Sequence, residues 1–187
     1  MAFLSRLVFL FASISIFCLT SAIAQPLDAK KALAEPNTYV GSEICRTCHL
    51  EHYDAWQRTL HSKMLQDVSE NEDVIVVDLD NEVMKTDFKE IEGKLKIPLD
   101  QVYFPKREDV KYTIGSQWKQ RYLVQKDGTY YIAPTQFNID TGRWVNYHEK
   151  DWDQRPWLLK CGGCHATGVN LDKESFLEPG VGCEACH

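Results

Sequence analysis

Net positive charge is the first thing this sequence lacks. Its 21 Lys and Arg are outnumbered by 27 Asp and Glu, leaving a formal charge of −6. That balance speaks against a nucleic-acid partner and allows docking to a basic protein surface. Long apolar runs are also scarce: after the stretch from Leu7 to Cys18, no segment is long enough to cross a bilayer. There is no phosphate-cradling glycine loop, no nucleophile elbow and no low-complexity run. Histidine occurs only six times, so each one carries weight. Spare cysteine is absent as well, because six of the seven belong to one repeated motif and the seventh is Cys18.

That motif is Cys-x-x-Cys-His. It occurs as Cys45-Arg46-Thr47-Cys48-His49, Cys161-Gly162-Gly163-Cys164-His165 and Cys183-Glu184-Ala185-Cys186-His187. It is the c-type haem attachment motif. Two thiols add across the two vinyl groups of one haem. A gap of two residues sets them about one helical turn apart, so both reach the same porphyrin edge. The histidine that follows is then placed as the proximal iron ligand. Cys161, Cys164, Cys183 and Cys186 also fit a four-cysteine zinc spacing. Against zinc, each pair is followed by His, and the pair at Cys45 and Cys48 has no second pair to join. The reading is three covalent haem c groups.

Residues 1–24 read as a secretory signal peptide. Arg6 supplies the positive start, Leu7 to Cys18 the apolar run, and Ala22-Ile23-Ala24 the small-residue cleavage site. An uncleaved anchor is the alternative. Bulky Phe17 before Cys18 argues against a lipoprotein. Export points to a bacterial periplasm or the outer cell surface. Removing Arg6, the one charge of the segment, takes the formal charge to −7, and the remaining 163 residues suit one domain. Shared among three haems, they leave about 54 residues each, so the haems themselves are expected to form much of the apolar interior.

Along the chain, residues 25–39 read as a polar arm containing Pro26 and Pro36. Ser42 is a plausible N-cap for one helix from about 43 to 66, with His49, Tyr53, Trp56 and Leu60 on one face. From about 74 to 147 the pattern changes to that of a β-rich insert. Strands are expected at 74–79, 110–114, 119–124, 130–134, 136–139 and 143–147. Lys126-Asp127-Gly128 and Asp140-Thr141-Gly142 mark hairpin turns. Residues 148–187 have few strand signals, and Gly162, Gly163 and Gly168 allow close approach of backbone to porphyrin.

Three histidines remain as candidate distal ligands: His52, His61 and His148. His52, three residues after His49, lies on the same side of the first haem. His61 lies twelve residues on, about 18 Å along a continuous helix. It cannot close on the first iron and suits a second haem stacked beside that helix. His148 follows a strand and precedes the second motif. Met64 and Met84 are weaker candidates.

These residues resemble the multihaem cytochrome c family that includes the tetrahaem carriers of ammonia oxidisers and longer relatives. The likeness rests on three groups: Tyr39-Val40-Gly41-Ser42 with the first motif, Tyr53, Trp56 and His61; Tyr112-Thr113-Ile114-Gly115 with Gln120 to Val124; and the second and third motifs with Ala166-Thr167 and Val181-Gly182. It implies an irregular α+β fold, with haem-bearing helices and loops around a haem stack and an inserted β-rich module. It implies single-electron transfer between redox partner proteins, and it places His61 at the family's distal position. Relatives normally continue past the third motif, so a chain stopping at His187 is expected to be truncated. Two rivals stand beside the carrier. One is a reductase or oxidase of a small nitrogen or sulfur compound with one open haem, where Lys111, Lys119, Arg121 and Tyr131 would furnish charge and protons. The other is a structural subunit of a haem wire. Membrane association is expected only through an uncleaved anchor or docking to a membrane complex.

Overall fold

The computed structural model describes residues 38–187. The signal segment, Cys18 and most of the polar arm lie outside the described residues.

The helix expected over 43–66 is two short helices, α1 (Ser42–Arg46) and α2 (Leu50–Gln57). The break falls at the first motif's own histidine, where His49 takes φ −120° and ψ 45°. Hydroxyl groups compete with the helix ladder on both sides. Thr47 Oγ1 donates to the Ile44 carbonyl (2.8 Å), Thr59 Oγ1 to that of Trp56 (2.7 Å), and Ser62 Oγ to that of Gln57 (3.0 Å). The chain then turns into β1 (Leu65–Asp67), a strand where a helix end was expected. Ser42 is not the N-cap: that position is Gly41, and no side chain caps α1.

The β-rich insert forms an antiparallel meander, in the order β1, β2 (Val110–Ile114), β3 (Lys119–Lys126), β4 (Thr129–Asn138) and β5 (Arg143–Asn146). Asp127 (φ 52°) and Gly128 (φ 85°) make the two-residue turn between β3 and β4. Both positions need a positive φ, which Asp-Gly supplies at low cost. The strands expected at 130–134 and 136–139 are one strand. The register shifts between Arg121 and Leu123, so Pro134 sits opposite a bulge where no ladder N–H is required.

No strand forms at 74–79. Glu72–Val74 is a 3₁₀ turn, and the buried Gln120 amide takes the backbone groups a ladder would use. Val76 N donates to Gln120 Oε1 (3.0 Å), while Gln120 Nε2 donates to the carbonyls of Val74 (2.8 Å) and Gly115 (3.1 Å). A further element was not foreseen: helix α3 (Asn81–Glu90), capped by Asp80 Oδ1, which accepts from Glu82 N (2.8 Å) and Val83 N (3.4 Å).

Successive residues of β3 serve opposite cores, as the two-residue period of a strand requires. Tyr122 and Val124, with Val110, Ala133 and Trp144, pack against Met84 and Phe88 of α3. Met84 is therefore a core residue of a helix rather than part of a strand. The buried Asp87 carboxylate ties α3 to β5, accepting from Trp144 N (2.8 Å) and Arg143 Nε (3.2 Å). Leu123, with Leu65, Ile114 and Ile132, faces the other way onto Trp157, Leu158 and Ala166. The sheet is thus the middle layer, and its second face carries the second Cys-x-x-Cys-His segment. A small ladder of β6 (Ala166–Thr167) and β7 (Glu178–Pro179) leads from there to the third.

Candidate haem attachment sites

The first and third motifs close as single helical turns of the same pattern. His49 N donates to the Cys45 carbonyl (2.9 Å), and His187 N to that of Cys183 (3.1 Å). The second motif reaches its turn through a π-helical stretch, Leu158–Gly162, running into Gly163–His165. In each motif the leading cysteine is half-buried, the second is exposed, and all six thiols are free.

The structure brings the first and third motifs together. Burial pushes the Cys45 thiol up, helped by the nearby Cys183, Glu184 and Glu178. Ser42 joins the two segments. Its Oγ accepts from Cys183 N (2.9 Å) and donates to Glu178 Oε1 (2.7 Å), while Ser42 N donates to Glu178 Oε2 (2.9 Å). Glu184, inside the third motif, accepts from Val40 N (2.9 Å) and Gly41 N (2.7 Å). Trp56 Nε1 of α2 donates to the Val181 carbonyl (2.8 Å).

The second motif packs on the sheet, and its His165 carbonyl accepts from Gly180 N (3.2 Å), just ahead of the third motif. Its surroundings are cationic. Arg121 of β3 is held by its Nε donating to Gln136 Oε1 (2.7 Å), and its guanidinium stacks 3.9 Å over the Tyr147 ring. Burial pushes the Cys161 thiol up, opposed by the charges of Arg121 and Arg155. Burial also pushes His165 down, with Arg121 adding to the effect. A cavity of about 200 Å³ opens beside His165, with Lys63, Met64, Trp118, Lys119 and Arg121 in its wall. The Nδ1 atom of His165 is buried without a hydrogen-bond partner.

His61 is exposed, and its carbonyl accepts from Val181 N (3.0 Å). That places its backbone against the segment entering the third motif. The premise of one continuous helix behind its assignment does not hold. His148, at φ 51°, lies edge-on to Tyr147 with ring centroids 4.6 Å apart and shares a cavity wall with Cys161. His52 lies with its ring centroid 6.2 Å from that of His49. Met64 lines the cavity beside His165, whereas Met84 is fully enclosed by the core.

The residues present fit haem c. Free thiols stand in pairs one turn apart with a histidine after each. Exposed apolar side chains stand beside them: Leu50 after the first motif, Leu159 before the second and Trp118 in the wall of the cavity that His165 lines. The second and third motifs do not assemble as a zinc centre; among the described residues no three His, Cys, Asp or Glu side chains converge as a metal site. The glycines near the second motif act differently from one another. Gly163 is open to its surroundings, as a close porphyrin approach requires. A Cβ on Gly168 would lie 2.8 Å from Leu177 Cβ, so that glycine serves protein packing. Sequence reasoning missed Ser42 as a bridge, and it missed Glu178 and Glu184 altogether. Only the position of Glu184 within its motif signalled it.

A model of the family described as "Cytochrome c554 and c-prime" matches residues 44–96 and 138–187. The unmatched stretch between them contains β2, β3 and most of β4. No curated protein matches the sequence significantly. Two solved structures resemble the fold. One is the outer cell wall cytochrome OcwA, with a TM-score of 0.57 and 24% identity over 80% of this chain. The other is the undecahaem cytochrome from the S-layer of Carboxydothermus ferrireducens, with a TM-score of 0.53 and 23% identity over 82%. The chain spans 31% of the first and 21% of the second.

Proposed function

The chain belongs to the cytochrome c554 and c-prime family, and from that membership we propose that it is an exported carrier of three haem c groups that passes single electrons between redox proteins. A haem bound at each site supplies a one-electron Fe(III)/Fe(II) couple, tuned by its axial ligands, burial and neighbouring charge. Cys45 and Cys48, Cys161 and Cys164, and Cys183 and Cys186 form the thioether bonds. His49, His165 and His187 are the proximal ligands. His61 and His148 are the distal candidates: His61 abuts the segment entering the third motif, and His148 shares a wall with Cys161.

The observation that carries this reading is the joint between the first and third motifs, where Ser42 Oγ accepts from Cys183 N (2.9 Å) and Glu184 accepts from Gly41 N (2.7 Å). Two attachment segments joined in this way serve electron exchange between neighbouring groups and need no substrate chamber. Ser42, Glu178 and Glu184 fix that joint, and the sheet holds the second site at one face. Export to the periplasm or outer surface is supported by residues 1–24 and by the cell-surface settings named for the two similar structures. Among the described residues no helix is long and apolar enough to cross a membrane.

The test uses the full chain, matured in an exporting bacterium. A pyridine haemochrome assay should count three haems per chain; a lower count would refute that number. Low-temperature electron paramagnetic resonance of the oxidised protein should show low-spin signals from the haems that His61 and His148 complete. A high-spin ferric signal from either, displaced by added ligand, would overturn the carrier reading in favour of a reductase or oxidase with an open haem.

A further inference from the structure

The three attachment sites differ in the charge around them. At the first and third, the half-buried carboxylates of Glu178 and Glu184 lie against Cys45 and the backbone joining the two motifs. The one cation inside the first motif, Arg46, is neutralised by Glu43 at 3.0 Å. At the second site the signs reverse. Arg121, half-buried, lies near both Cys161 and His165, with Lys63 and Lys119 in the same cavity wall and Lys160 in the wall beside Cys161. Arg155 is near too, but Asp151 sits 3.6 Å from it. Among the described residues, Arg121, Lys63, Lys119 and Lys160 form no ion pair. The three lysines are exposed, so solvent screens them. Arg121 is the one held in place, by Gln136 and Tyr147, and it dominates.

A fixed positive charge favours the reduced form of a nearby iron couple, and a fixed negative charge favours the oxidised form. We propose that the second site, Cys161 to His165, is the high-potential end of this chain, with Arg121 as the residue that sets it. The proposal rests on the carrier reading above and adds a direction to it. One electron leaves the first or third site, oxidised from Fe(II) to Fe(III), and enters the second, reduced from Fe(III) to Fe(II). No bond forms or breaks and no proton moves. A reduced one-electron donor protein refills the first pair, and an oxidised one-electron acceptor protein empties the second site.

The test is a spectropotentiometric titration of the mature protein and of Arg121→Gln and Arg121→Lys. In the Gln variant the highest of the three midpoint potentials should fall by about a tenfold change in the one-electron equilibrium, or about 59 mV. The two lower potentials should move less. The Lys variant should restore most of the shift, which a merely structural role would not predict. A shift confined to a lower potential, or an unchanged highest one, overturns the proposal. So does a Lys variant that behaves like Gln. If Arg121→Gln does not mature, Arg121→Met decides: a fall in the highest potential supports the proposal, and an unchanged one overturns it. A wild-type protein with fewer than three haems, or without reversible one-electron waves, would defeat the carrier reading instead, whatever Arg121 does.

Discussion

Replacing Ser42 with Ala removes one oxygen from the joint between the first and third motifs. Ser42 is almost wholly buried, with 1% of its surface exposed. Its hydroxyl both donates to the Glu178 carboxylate and accepts from Cys183 N. The first bond involves a charged partner and is worth about 1.5–3 kcal/mol, and leaving a buried N–H without an acceptor costs about 1–3 kcal/mol. Glu178 keeps its bond from Ser42 N, so part of the first cost is recovered. The expected loss is about 2–4 kcal/mol, or a melting point lower by about 5–15 °C for a domain of this size. Denaturant unfolding of the haem-loaded protein, followed by far-ultraviolet circular dichroism, measures it. Ser69→Ala is the control. Ser69 is exposed and bonds only the nearby Asp67, and its loss should stay within about 0.5 kcal/mol. Equal effects of the two substitutions would refute the reasoning, because they would mean that the joint carries no load beyond that of a surface hydroxyl.

Two further outcomes follow from backbone geometry and from titration. Gly180 adopts φ 82°, and a Cβ there would lie 2.8 Å from the His61 carbonyl oxygen and 3.0 Å from that of Ser62. Gly180→Ala should therefore destabilise the fold by about 2–5 kcal/mol from left-handed strain and overpacking together, and a thermal melt within 1 °C of the parent would contradict this. Burial pushes the Tyr53 phenol up to about 12, helped by its 2.6 Å bond to Glu43. The folded state then holds this proton more tightly than the unfolded chain, so the contribution is intact below pH 10 and is lost as the pH rises towards about 12. Difference titration at the phenolate absorption band, parent against Tyr53→Phe, should assign a late-titrating phenol to Tyr53.

What was legible in the sequence was what local chemistry dictates. The three motifs carry their meaning in five residues each, since two thiols and a histidine at that spacing suit one cofactor. The Asp127-Gly128 hairpin was legible because few residue pairs accept two positive φ angles in a row. Helix α3 was not. Its start at Asp80 and its Met84 and Phe88 spacing are helical, but the apolar run from Val74 to Leu79 suggests a strand leading into them. That run is held by the Gln120 amide, whose own position depends on β3, more than forty residues away. The break after α1 escaped for a similar reason: hydroxyl groups at Thr47, Thr59 and Ser62 are neutral in a sequence pattern and decisive once they find carbonyls. Arg121 stood among several charged residues with nothing to single it out. Only the folded sheet sets it beside His165 and Cys161.

The joint around Ser42 also has a consequence in time. Val40 is bonded to Glu184 across 144 positions, and Ser42 to Glu178 across 136. A chain that emerges amino end first exposes its first motif long before either glutamate exists to support it. Contacts of such separation form late and slowly. The thiols of Cys45 and Cys48 therefore stay reachable through most of synthesis, and the first site closes only after the third has been made.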